Sequence, residues 1–148
     1  MSLSRTSFGV NSSGQLRIRI GGPPVPVPEF YALLDSALQC EGWNPREGVV
    51  EDLRDLAGIP PLTCMKAMAD YFMTRTMPAG LSRGAVALPP DSDGLEEAIK
   101  AASIFSIGGP VEVLGFETIE SAQAWAAGAK GSAAPVSVRA SRFQDGAY

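Results

Sequence analysis

Leu16, Ile18 and Ile20 alternate with Gln15, Arg17 and Arg19, the two-residue period of a strand with one packed face and one wet one. Asn11-Ser12-Ser13-Gly14 just before them supplies turn residues, so residues 5–22 read as a hairpin. Exposed arginines at a sheet margin would also discourage edge-to-edge pairing. Gly21 to Pro28, GGPPVPVP, fits neither helix nor central strand and reads as a stiff connector whose last proline opens a helix. Phe30, Tyr31, Leu34, Ala37 and Leu38 then recur at three- and four-residue steps, a helical stripe ending near Cys40 to Gly42 with Trp43 packed over its end. A second strand is predicted over about Gly48 to Leu53, around Val49 and Val50. The connection Ala57-Gly58-Ile59-Pro60-Pro61 leads to a second helix over Leu62 to Met77, with Leu62, Met65, Met68, Ala69, Phe72 and Met73 at helical spacing. Such a strand–loop–helix junction is where a doubly wound sheet presents its working surface.

Farther on, RGAVAL at residues 83–88 is short and apolar throughout, as a strand covered on both faces should be. Asp93 with Glu96 three positions later makes a box-like start for a third helix bearing Leu95, Ala98, Ile99, Ala102 and Phe105. Pro110 to Gly115 reads as the last strand, and Thr118 caps a final helix with Ile119, Ala122, Trp125 and Ala126 facing inward. Alternation of strand and helix demands a largely parallel sheet. The prediction is an α/β fold with a mostly parallel four- to five-stranded sheet, an N-terminal antiparallel hairpin edge and about four helices. Residues 1–128 form one domain; 129–148, rich in Gly, Ala and Ser, form a loose tail in which Val136 and Val138 are suited to an edge strand or a neighbouring subunit.

Composition narrows the chemistry. The 148 residues carry a net charge of −4, which argues against a nucleic-acid binder and its cationic face. No apolar run approaches the roughly 20 residues of a membrane span, and no signal peptide is visible, so a cytoplasmic location is expected. Cys40 and Cys64 read as buried free thiols in a reducing compartment. There is no histidine, which removes the usual general base, the nucleophile triads and the commonest zinc ligand. The glycine pairs match no phosphate-binding loop. Glu51, Asp52 and Asp55 gather at a strand end, where three carboxylates suit a hard cation. Helix capping and turn contacts are the stronger reading, since successive strand residues point to opposite faces. The expectation is therefore no catalytic residue, no metal site and no cofactor. Met65, Met68, Met73 and Met77 read as flexible core filler, with an adaptable apolar pocket as the second reading.

GQLRIRIGG, followed by a proline-rich link and a helix, resembles the opening of the anti-sigma-factor-antagonist (STAS) superfamily, and most closely its SpoIIAA-like branch of small bacterial proteins. Asp52-Leu53-Arg54-Asp55-Leu56 is similar to the acidic strand end before the second helix of that family, Arg83 to Leu88 to its third strand, and Phe116 to Trp125 to its closing helix. The likeness spans about Arg17 to Ala127. It implies a non-enzymatic regulatory module with a protein partner, docking through Asp55, Gly58, Pro60, Pro61, Thr63 and Lys66, and leaves a homodimer open. Kinase-switched members carry an Asp-Ser-Ser-Gly-type motif at the second helix, whereas this chain has Ile59-Pro60-Pro61-Leu62-Thr63 and lacks the serine pair. Thr63 is the nearby hydroxyl, and a helix-entry role explains it equally well. The alternative function is binding of a small apolar or lipid-like ligand beside the second helix, at Met65, Met68 and Phe72.

Overall fold

A computed structural model describes residues 5–90, 93–95, 97 and 111–128. Five strands, β1 (Arg5–Val10), β2 (Leu16–Gly21), β3 (Val49–Asp52), β4 (Arg83–Ala87) and β5 (Glu112–Phe116), form one sheet in that spatial order. β1 pairs antiparallel with β2, and every later pair is parallel. Helix α1 (Val27–Leu38) links β2 to β3, α2 (Leu62–Thr76) links β3 to β4, and α3 (Ile119–Ala126) follows β5. Residues 93–95 and 97 are helical. The rest of the predicted third helix, with Glu96 of its box-like start, and the tail at 129–148 lie outside the described residues.

The strand order corrects one expectation. Among the described strands it never reverses, so they form no switch point of the doubly wound kind. Right-handed crossovers between successive neighbours place their helices on a single face. There α1 and α2 pack together: Tyr31 stacks on Tyr71 with centroids 4.0 Å apart, and Asp35 accepts from Tyr71 Oη at 2.7 Å and from Arg75 Nε at 2.9 Å. Leu16, Ile18, Ile20, Val49, Leu53 and Val86 join Phe30, Leu34, Ala37 and Phe72 in the core on this side. On the opposite side Val50, Ala85, Ala87 and Phe116 pack beneath Ile119, Ala122 and Ala126 of α3. Both faces of β3 and β4 are thus covered, which is why their sequences are apolar without clean alternation.

Small residues decide how closely each helix approaches. Ala122 and Ala126 let α3 lie tight on the sheet, and Thr118 caps it by accepting from Ser121 N at 3.1 Å. Buried Gln15 donates from Nε2 to the carbonyls of Glu47 (2.8 Å) and Gln123 (2.9 Å), tying α3 to the start of β2. Arg83 lies over the Trp125 ring, 4.9 Å from its centroid, and donates to the Trp125 carbonyl. On the other face Phe72 reaches down to Gly84, where an added Cβ would stand 3.1 Å from its ring.

Three side-chain expectations are corrected. Cys40 and Cys64 are free but half-buried, and Cys40 lies beyond the end of α1. β2 is an interior strand, and its Arg17 and Arg19 are engaged with Asp52 and Asp55 instead of guarding an edge. Leu62, placed on the inner stripe of the second helix, is 45% exposed, because α2 begins there, one residue past its Pro61 cap and outside the sheet's footprint.

Candidate functional site

The chain enters α2 through Pro60 and Pro61, whose fixed φ suits a helix start without a side-chain cap. Beyond this entry Met65, Met68, Phe72 and Met73 face the sheet. Phe72 is buried; Met65, Met68 and Met73 are half-buried and pack against the core without filling it, and Met77 is exposed. The reason is spacing: α2 stands off the sheet, Ala67 and Ala69 contribute little volume, and unbranched methionines line the gap without closing it. A cavity of about 620 Å³ results. Ile20, Glu51, Val86 and Val113 line it from the sheet, with Leu53 just past β3, and Val25, Phe30, Leu56, Pro60 and Leu95 line the rest.

One floor residue does not match the others. Glu51 stands opposite Ile18 on β2 and Val86 on β4, between Val49 and Leu53 on its own strand. Among the described residues nothing donates a hydrogen bond to its carboxylate. The side chain is half-buried, and desolvation by its apolar surroundings pushes its pKa up to about 7, so that near neutrality the group is divided between its acid and its carboxylate.

The next residue shows the contrast. Asp52 leaves the strand on the α3 side and is 2% exposed. Burial alone would raise its pKa, but hydrogen bonds from Arg54 (Nε to Oδ1 and Nη2 to Oδ2, each 2.9 Å) and from Arg17 (2.7 Å) outweigh it and hold the carboxyl well below the usual range. Asp55 is exposed and joined to Arg19. The acidic strand end seen in the sequence is therefore three separate sites on two faces. Among the described residues no group of three or more acidic, Cys or His side chains is placed to hold a metal ion.

The proposed pocket residues Met65, Met68 and Phe72 all line the cavity, as do Pro60 and Lys66 from the proposed docking set. Gly58, Pro61 and Thr63 lie exposed along the outer approach to α2. Asp55 is turned to Arg19, away from them. Sequence reasoning missed the separate place of Glu51, and also Leu95 and Val113. For Glu51 a signal existed: Val49, Glu51 and Leu53 share one face by the period of two, and only the middle one is charged.

Among the described residues no helix is long and apolar enough to cross a membrane. No family model matches the chain, and neither a curated protein nor a solved structure matches it.

Proposed function

We propose that this protein binds a small, mostly apolar molecule in the cavity between α2 and the sheet, and that it is a carrier or sensor, not an enzyme. The observation that carries this reading is the cavity itself: about 620 Å³, lined mostly by aliphatic, thioether and aromatic side chains, with the Glu51 carboxyl among them and Lys66 and Asp70 contributed by α2. Small-molecule sites span about 300–1,000 Å³ and share this composition, a largely apolar wall with few polar groups. Thioethers adapt to ligands of different outline. Binding is favoured over catalysis because the chain has no histidine and the Glu51 carboxyl has no described partner with which to form a proton relay.

Titration with the uncharged fluorophore N-phenyl-1-naphthylamine tests this. A single saturable site is expected. Ala69→Phe, which adds a ring to the cavity wall without touching the sheet, should weaken binding about ten-fold or more and leave the melting temperature nearly unchanged, since it fills space already empty. Non-saturable binding, or an unaffected Ala69→Phe variant, would refute the reading.

Ile59 and Leu62, 52% and 45% exposed, favour a second one. Apolar side chains displayed on the junction between β3 and α2 suit the partner-docking module implied by the SpoIIAA-like resemblance, with which the one-directional parallel sheet and antiparallel edge are compatible. In that case the same Ala69→Phe substitution, inside the cavity, leaves partner binding intact.

A further inference from the structure

Glu51 is the cavity residue that the fold itself does not use. A leucine in its place would complete the floor that Ile20, Leu53 and Val86 begin. Glu51 is half-buried, and a carboxyl group even partly withdrawn from water without a partner is costly; the chain shows the ordinary remedy one residue later, where two arginines surround Asp52. Departures from local consistency of this kind concentrate where function is exerted. The other charged side chains lining the cavity, Lys66 and Asp70, are exposed and lie one turn apart on α2. Among the described charged residues, Glu51 alone belongs to the floor.

We infer that the cavity recognises an apolar molecule bearing one protonated amine, whose ammonium donates to the Glu51 carboxylate while its hydrocarbon part lies against Met65, Met68 and Phe72. This inference rests on the reading of the cavity as a ligand site. The chemistry of the floor selects the head group. An acid head would set two carboxyl groups against each other, and a neutral hydroxyl would leave the half-buried carboxylate charge uncompensated. A hard cation needs several oxygen ligands, and the described residues offer no such group. An ammonium supplies both the opposite charge and the missing donors, against apolar walls that strengthen the pair. Binding also favours the ionised form of Glu51, so preference for the amine should grow as pH rises from 6 to 8, a range in which an alkylamine stays protonated.

Displacement of N-phenyl-1-naphthylamine by decylamine, 1-decanol and decanoate tests the assignment, with wild type and Glu51→Gln at pH 8 and pH 6. In the wild type at pH 8 decylamine should compete about ten-fold or more better than decanol, with decanoate weakest. At pH 6 that advantage should shrink several-fold. Glu51→Gln keeps the side chain's shape but removes its charge and should bring amine and alcohol within about two-fold of each other at both pH values. Equal competition by amine and alcohol in the wild type, or an amine advantage that survives in Glu51→Gln, overturns the head-group assignment while the cavity stands. A wild-type protein that does not take up the fluorophore at all overturns both.

Discussion

Replacing Gly48 by alanine is expected to destabilise the protein by about 3 kcal/mol or more, lowering its melting temperature by roughly 10 °C. Gly48 joins the 3₁₀ turn Pro45–Glu47 to β3 with φ 81° and ψ −177°, a region open to little besides glycine. Its missing side chain is also the space in which α3 ends: an added Cβ would stand 2.5 Å from the Ala126 carbonyl oxygen. Either the turn or the helix must move, and moving α3 uncovers Val50, Ala85 and Phe116. Gly80 separates the two contributions. Its φ is 87° but an added Cβ would meet nothing within 4 Å, so Gly80→Ala should cost only the conformational part, about 1 kcal/mol. Thermal or urea unfolding of the two variants checks the contrast, and equal losses would mean that α3 does not bear on Gly48.

The second large effect is a gain. Glu51→Leu should stabilise the protein, and more so at high pH. An acid whose folded-state pKa lies above its unfolded value binds more protons when folded, so stability falls as pH rises from about 4.5 through about 7. At pH 5 the group is largely protonated in the folded state and costs little; at pH 8 it is charged in a poor solvent. The full span of the shift is trimmed by water that reaches the group through the cavity, leaving an expected increase of about 2 kcal/mol in the variant's advantage between pH 5 and pH 8. The chain has no histidine, and among the described residues the other large shift, at Asp52, lies far below this window. Urea unfolding of both proteins at the two pH values measures it. An advantage independent of pH would mean that Glu51 is well solvated or paired.

These two residues also mark where the sequence was legible. β2 announced itself because Leu16, Ile18 and Ile20 alternate with polar neighbours, and the capping of α3 by Thr118 followed from residue type and position. Val49-Val50-Glu51-Asp52 did not declare its faces. A parallel strand covered on both sides has no polar side to serve as a reference, so two adjacent acids looked like one cluster. The partners that distinguish them come from afar: Arg17 is 35 residues before Asp52, and Val113 reaches the same cavity from the last strand. The methionines posed a different problem. Spacing placed them on the inner face of α2, but whether that face is packed or hollow depends on how far the helix stands from the sheet. Phe72 against Gly84 and the alanines at 67 and 69 set that distance, and no periodicity encodes it.

The most direct test of the cavity as a binding site is the methionine-methyl NMR spectrum of the ¹³C-methyl-labelled full chain during titration with 1-decanol. The methyl signals of Met65, Met68 and Met73, assigned by single substitution to leucine, should shift together and saturate at one equivalent of bound alcohol. Signals that stay fixed, or that drift in proportion to the alcohol added without saturating, would contradict it.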